Sequence, residues 1–162
     1  MPTTTSPIGT HRYVEPGWLT RNVFNRTMRR LTRMGVSVRG SRELRVLGRT
    51  SGEWRSVPVN LLVIDGEQYL VAPRGVTQWV RNLRVAGHGE LRVGRRSTAF
   101  TSVELSDQAK PEILREYLRR WKVEVGVFFN GIDATATTDQ LDSIAPGYPV
   151  FRIAPSGTAT AP

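Results

Sequence analysis

The sequence lacks cysteine and contains only two histidines, His11 and His88, which stand far apart. The absence of cysteine excludes disulfides, thiolate metal sites and a cysteine nucleophile. Isolated histidines provide no metal-ligand spacing, so we predict no metal site. No apolar run is long enough to cross a bilayer, and no signal peptide pattern opens the chain. These absences predict a protein of the reducing cytoplasm.

Lysine is also scarce: Lys110 and Lys122 are the only two, although the net charge is +9. The charge therefore comes almost entirely from arginine. Guanidinium groups hold planar oxyanions through two parallel hydrogen bonds, which favours phosphates and carboxylates as partners. Nucleic acid, anionic lipid and an acidic small molecule all satisfy this composition.

A length of 162 residues is typical of one domain with its own core. We assign residues 1–17 to a flexible N-terminal segment, 18–154 to a single domain, and 155–162 to a flexible C-terminal tail. The Thr- and Pro-rich composition of both ends supports these boundaries.

Residues 18–34 are predicted to form an amphipathic helix, since apolar side chains recur at helical spacing and arginines occupy the other side. The apolar face contains Phe24, Met28 and Leu31, and the basic face contains Arg26, Arg29 and Arg33. Two roles are consistent with this pattern. The helix either covers one end of the core or lies on an anionic membrane.

Beyond this helix the pattern changes to short strands. They are predicted at 44–47, 55–64, 68–72, 90–93, 98–105 and 148–153, with helices at 78–86 and from Pro111. Asp65-Gly66 predicts a two-residue hairpin turn. Pro58 predicts an edge or a bulge in its strand. Residues 130–147 are predicted to form a loop with one helical turn. The fold class is thus α+β: a closed or split β-barrel of about six mostly antiparallel strands with three flanking helices.

Three segments carry candidate binding residues. The turn Arg49-Thr50-Ser51-Gly52, followed by Arg55, offers backbone donors and guanidinium groups to an anion. The segment Ala72-Pro73-Arg74-Gly75 links a strand end to a helix N-terminus, where free N–H groups point outward. In the following helix Trp79, Asn82 and Leu83 share one face, and a buried asparagine needs a partner. That partner is either the barrel backbone or a ligand.

Taken in order, these stretches resemble the deazaflavin-dependent nitroreductase family, the split β-barrel flavin/deazaflavin oxidoreductases. The resemblance covers about residues 20–154. It rests on five motifs: Gly48-Arg49-Thr50-Ser51-Gly52, Arg55-Ser56-Val57-Pro58-Val59, Ala72-Pro73-Arg74-Gly75, Trp79-Val80-Arg81-Asn82-Leu83 and Tyr148-Pro149-Val150-Phe151-Arg152.

The resemblance implies an oxidoreductase that uses the reduced deazaflavin coenzyme F420, an anionic carrier with a phosphate and a polyglutamate tail. The acceptor would be a small conjugated compound such as a quinone, an enone or a nitro compound. By analogy the cofactor-binding residues are Arg49, Thr50, Ser51, Gly52, Arg55, Pro58, Val59, Ala72, Pro73, Arg74, Gly75, Trp79 and Asn82. The protein orients the cofactor and excludes water.

The acceptor end departs from some nitro-reducing members of the family, which have a cluster of tyrosines in the helical region before the last strand. Here Trp121, Phe128 and Phe129 provide apolar walls for a flat acceptor. Solvent or Tyr117 would supply the proton. The resemblance thus implies a hydrophobic acceptor without implying nitroreductase activity.

Several alternatives stay open at this point. The cofactor could be FMN, or the barrel could be a non-catalytic module that binds the deazaflavin or RNA. RNA is disfavoured because the strands show no exposed aromatic ladder. The protein would be a monomer or a homodimer in the cytoplasm, with peripheral membrane contact through residues 18–34 as the alternative location.

Overall fold

The computed structural model describes residues 40–158, which form six β-strands and three α-helices. The strands are β1 (Ser41–Leu47), β2 (Trp54–Ile64), β3 (Glu67–Val71), β4 (His88–Val93), β5 (Arg96–Glu104) and β6 (Val150–Thr158). The helices are α1 (Gln78–Ala86), α2 (Pro111–Val125) and α3 (Thr138–Ile144). The predicted helix 18–34, with both of its suggested roles, and the predicted segment 1–17 lie outside the described residues.

The six strands form one closed antiparallel barrel in the order β1-β2-β3-β6-β5-β4. Consecutive strands are mostly joined by hairpins, as their spacing predicts. At the β2–β3 hairpin, Asp65 and Gly66 both have positive φ, 49° and 82°, as a two-residue turn of this hand requires. The predicted α+β barrel is therefore confirmed.

Apolar residues fill both faces of the central strands. Inside the barrel lie Leu44, Leu61 and Phe151, and α1 closes this core with Val80 and Leu83. A second core lies outside the barrel, where α2 and α3 pack against it; it contains Leu62, Trp121, Phe129, Tyr148 and Val150. Strand β2 contributes to both cores, which explains its apolar pattern on both faces.

The helix boundaries follow local signals. Helix α1 ends at Gly87, whose φ of 70° permits the left-handed cap. Helix α2 begins at Pro111 and is kinked at Trp121, where the backbone leaves helical angles. Helix α3 differs from prediction, since residues 130–147 were expected to be mainly a loop. It begins with a capping box in which Thr137 and Gln140 each bond the other's backbone N–H.

Strand β6 is also longer than predicted. It begins at Val150 and continues to Thr158, pairing Pro155 with Phe100 of β5. Residues 155–158, which composition assigns to the tail, therefore form the end of a strand. No helix within residues 40–158 combines the length and the apolar character needed to span a bilayer.

Among the described residues, the first part of β2 is paired on one side only, and we call Trp54–Asn60 the open half of this strand. Leu61–Ile64 pair with β3, but within the described chain Trp54–Asn60 pair only with β1. Pro58 lies in this one-sided half, opposite Glu43 of β1. A proline has no N–H to donate, so the position agrees with the edge that the sequence predicts.

Candidate functional site

A cleft of about 1190 Å³ lies beside the open half of β2. One side is formed by the β1–β2 turn and by β2, and the other by residues 71–74 and the start of α1. Helix α2 provides one end. Ligand pockets commonly measure roughly 300–1,000 Å³, so this cleft lies at the large end of the range.

The β1–β2 turn and the residues facing it make one end of the cleft cationic. Arg49, Arg55 and Arg74 line it, together with the hydroxyls of Thr50 and Ser51. The turn is tight: Gly48 donates from its N–H to Glu53 O at 2.8 Å, and a Cβ on Gly48 would lie 2.6 Å from Ser51 Oγ. A side chain at position 48 would therefore displace the Ser51 hydroxyl and crowd Glu53 O at 3.3 Å, so glycine suits this turn.

Asn82 anchors Arg49 to α1. Its Oδ1 accepts from the backbone N–H of Arg49 at 3.2 Å and from Nη1 of the same residue at 2.9 Å. Gln78, one turn earlier, accepts from the same Nη1 through Oε1 at 2.9 Å. The buried asparagine therefore finds its partner in the β1–β2 turn, both in the backbone and in a side chain that lines the cleft.

The N-terminus of α1 also opens into the cleft through Thr77 and Gln78. Thr77 stands at the N-cap, yet its hydroxyl makes no capping bond. Its Oγ1 is buried. Among the buried side-chain nitrogen and oxygen atoms of the described part of the chain, it is the one without a hydrogen-bond partner. A buried polar atom without a partner is rare, and at a helix N-terminus it fits an anionic ligand that supplies the missing bond.

Backbone groups of β2 face the cleft from its open half. The N–H of Leu61 bonds Gly40 O of the chain entering β1, so the odd-numbered residues of β2 carry the ladder to β1. Along a strand, the backbone N–H and C=O groups of successive residues point alternately toward one neighbouring strand and toward the other. Pro58 therefore presents only a C=O to the side away from β1. Asn60 presents its N–H there, since the pairing of Leu61 with Leu70 commits the Asn60 C=O to the N–H of Val71. This edge can bond a planar ligand that lies along it.

The other end of the cleft is more apolar. Val123, Val125 and Phe128 line it together with the ring of Tyr117, and Glu124 is the single carboxylate among the described lining residues. Tyr117 is buried and hydrogen-bonds the side chain of Asn60. Burial raises the pKa of the Tyr117 hydroxyl well above its usual range, against the smaller opposing effect of the Asn60 bond. The phenol is therefore neutral at physiological pH.

Most of the sequence-predicted site residues meet in this cleft. These are Arg49, Thr50, Ser51, Arg55, Pro58, Val59, Ala72, Pro73, Arg74, Trp79, Asn82, Tyr117 and Phe128. Trp79 reaches it from α1 while packing 5.9 Å from the ring of Phe151. Their functional roles remain predictions.

Four predicted residues do not line the cleft. Gly52 and Gly75 have positive φ, 68° and 81°, and shape the backbone beside it. Trp121 and Phe129 lie in the core outside the barrel, only 2% and 1% exposed. Phe129 stacks on Tyr148 at 4.3 Å. The helical periodicity places both rings on the face of α2 and its extension that packs inward.

Thr77, Gln78 and Asn60 also line the cleft, although they are not among the residues that the sequence predicts for the site. Gln78 had a usable signal, because it stands four residues before Asn82 and so shares its helix face. Asn60 alternates with Val59 and Leu61 on β2, a pattern that points it to the other face of the strand. Nothing in the sequence signals that the hydroxyl of Thr77 lacks a capping bond.

Solved structures with the same fold exist, at low sequence identity. The protein Atu2129 of Agrobacterium tumefaciens strain C58, described as of unknown function, aligns at a TM-score of 0.55 and 13% identity. The alignment covers 89% of this chain but 58% of that longer chain. An F420-H2 dependent reductase, FDR-A, aligns at a TM-score of 0.51 and 16% identity, over 72% of this chain and 95% of its own. Such identities show a common fold and no more.

No curated protein matches the sequence. Residues 18–138, well over half of the chain, match the family of F420H(2)-dependent quinone reductases. The match includes the β1–β2 turn, the open half of β2, α1 and the whole of α2. The chain therefore belongs to the F420H(2)-dependent quinone reductase family and is an oxidoreductase.

Proposed function

We propose that this protein binds the reduced deazaflavin coenzyme F420 in the cleft and uses it to reduce a small hydrophobic conjugated acceptor, with a quinone as the first candidate. One observation carries the proposal: the cleft is cationic at the β1–β2 turn and mainly apolar at α2. An anionic carrier and a hydrophobic acceptor require opposite ends of this kind.

The cationic end fits the phosphate and the polyglutamate tail. Arg49, Arg55 and Arg74 supply guanidinium donors there, and the start of α1 supplies N–H groups and the unpartnered Thr77 Oγ1. Charge-assisted hydrogen bonds of this kind are short and strong. These donors match the anionic groups of the coenzyme in charge and in hydrogen-bonding capacity, which supports the proposal.

The middle of the cleft fits the ring system. The open edge of β2 offers the C=O of Pro58 and the N–H of Asn60, while Trp79 adds an apolar wall. Rigid backbone donors and acceptors hold a heterocycle in one orientation without loss of side-chain entropy. When bound, the reduced coenzyme supplies a hydride, and the reduced acceptor also takes up one proton.

At the apolar end Phe128 and Val125 would contact the acceptor, and the neutral Tyr117 would orient it through Asn60. A phenol whose pKa is raised gives up its proton less readily, so we assign the proton to solvent rather than to Tyr117. Glu124 is exposed at this end and marks its entrance to water.

A fluorescence titration with F420 at low salt tests the proposal. We expect quenching, micromolar or tighter affinity, and at least about a tenfold loss in the double variant Arg49→Ala/Arg55→Ala. The matched control is Arg95→Ala/Arg96→Ala, which removes the same charge from an exposed hairpin that does not line the cleft.

Absence of binding at low salt would contradict the proposal. Two parallel measurements separate the alternatives. FMN that bound tighter than F420 would make the protein a flavin enzyme of the same fold. F420 binding without reduction of any quinone, enone or nitro acceptor in a screen would indicate a carrier instead of an enzyme.

A further inference from the structure

Arg49 differs from its neighbours in the kind of partner that holds it. Arg45 and Arg84 are bound by the carboxylates of Glu90 and Glu104, at 2.8 and 2.6 Å. A carboxylate partner neutralises a guanidinium and occupies it. Arg49 instead bonds two neutral amide oxygens, those of Gln78 and Asn82, each at 2.9 Å.

These two bonds also leave one edge of the guanidinium available. Both amide oxygens accept from the same nitrogen, Nη1, which has two hydrogens. Within the described residues Nε and Nη2 of Arg49 make no hydrogen bond. The Nε–Nη2 edge is one of the two parallel donor pairs with which arginine binds a phosphate or a carboxylate.

We propose that Gln78, with Asn82, is a positioning residue that holds Arg49 as a preorganised oxyanion receptor at the cationic end of the cleft. The amides fix one edge without neutralising the charge, and the opposite edge binds the oxyanion. This rests on the proposed function and deepens it, because Gln78 acts on the binding of the coenzyme's anionic groups through Arg49.

The backbone bond from Arg49 N–H to Asn82 Oδ1 strengthens the arrangement. It ties the β1–β2 turn to α1, so the Cα of Arg49 and its guanidinium are fixed by the same helix. Immobilised side chains lose less entropy when a ligand binds, and the affinity rises accordingly. Gln78 is exposed, so its replacement removes an anchor without opening the core.

The test compares Gln78→Leu, which removes the acceptor, with Gln78→Glu, which makes it a carboxylate. We expect Gln78→Leu to weaken F420 binding about 3- to 10-fold and Gln78→Glu to weaken it more, because the ion pair occupies Arg49. The control is Arg81→Gln, which changes the net charge as Gln78→Glu does but lies on the exposed face of α1.

Two further readouts separate positioning from a general structural effect. In an Arg49→Ala background Gln78→Leu should cause no additional loss, since the two residues act as one unit. The affinity for inorganic pyrophosphate, measured by calorimetry, should decrease in the same order, from wild type to Gln78→Leu to Gln78→Glu. The melting temperatures should stay within about 1–2 °C of wild type, as is usual at exposed positions.

The outcomes distinguish the two proposals. If wild type binds F420 and both Gln78 variants bind it equally well, the positioning role is wrong and the proposed function stands. If F420 does not bind but pyrophosphate shows the expected order, the receptor exists and the coenzyme assignment is wrong. If neither ligand binds, both proposals are overturned.

Discussion

Tyr117 on α2 and Asn60 on β2 hydrogen-bond to each other across the apolar end of the cleft. Burial raises the pKa of Tyr117, so the folded protein keeps this proton at pH values where the unfolded chain loses it. Its contribution to stability is therefore complete below about pH 10, the pKa in the unfolded chain, and falls as pH rises beyond it.

We expect urea unfolding to show this loss of stability with rising pH between pH 9 and 11. The free energy of unfolding of wild type should decrease by up to about 1.4 kcal/mol per pH unit more steeply than that of Tyr117→Phe. Tyr69→Phe serves as the control, because Tyr69 is only partly buried, at the edge of the core outside the barrel. If the free energy of unfolding changed with pH equally in wild type and Tyr117→Phe, the raised pKa of the buried Tyr117 would be contradicted.

Thr77 and Thr137 occupy equivalent N-cap positions with opposite hydrogen bonding. The Thr137 hydroxyl caps α3, whereas that of Thr77 is buried without a partner. We expect Thr137→Val to lower the free energy of unfolding by about 1 kcal/mol. Thr77→Val should leave it unchanged or raised, since removing an unsatisfied hydroxyl removes its desolvation cost.

The same Thr77→Val variant should weaken F420 binding about 3- to 10-fold, because the hydroxyl would bond the coenzyme's anionic groups. A variant that is as stable as wild type but binds less well separates function from folding. Loss of stability with unchanged affinity would instead assign Thr77 to the fold.

Gly89 lies in β4 where two elements approach closely. A Cβ there would lie 2.7 Å from the backbone oxygen of Arg45 and 2.9 Å from the ring of Phe100. We expect Gly89→Ala to lower the free energy of unfolding by about 1–3 kcal/mol. The control is Gly126→Ala, where φ is −55° and a Cβ meets only Lys122 Cγ at 3.8 Å, and which should stabilise by about 0.4–1 kcal/mol.

The barrel could be predicted because its local signals agree with one another. Asp65-Gly66 fixes a hairpin, β2 is apolar on both faces, and Pro58 marks the unpaired half of the strand beside which the cleft lies. Helix α3 was underestimated because its Gly-, Asp- and Thr-rich surroundings resemble a loop. The signal was nevertheless present, since Thr137 followed three residues later by Gln140 is a capping box.

The site was harder to predict in detail, since hydrophobic periodicity does not distinguish a core wall from a pocket wall. Asn82 was recognised as a buried amide in need of a partner, but its partner, Arg49, stands 33 residues earlier. Such a contact depends on how α1 lies against the β1–β2 turn, which no local pattern encodes. The aromatic residues that follow α2 also show that periodicity alone does not separate a core residue from a pocket residue.

Phe128 and Phe129 are adjacent in sequence but lie in different surroundings. Phe128 lines the cleft and is partly exposed, whereas Phe129 is 1% exposed and stacks on Tyr148. We expect Phe129→Ala to lower the free energy of unfolding by about 3–5 kcal/mol, as truncation of a buried ring does. Phe128→Ala should cost less than about 2 kcal/mol, because less of its surface is removed from water.

The effects on kinetics should have the opposite order, with the larger change at Phe128. If Phe128 contacts the acceptor, Phe128→Ala raises KM for a quinone about 3- to 10-fold while the affinity for F420 stays unchanged. Phe129→Leu keeps most of the buried volume, so it should retain the wild-type KM in whatever fraction remains folded. Steady-state kinetics at saturating F420 measure both variants. An unchanged KM in Phe128→Ala would remove Phe128 from the acceptor site and leave Tyr117, Val123 and Val125 as the apolar candidates on α2.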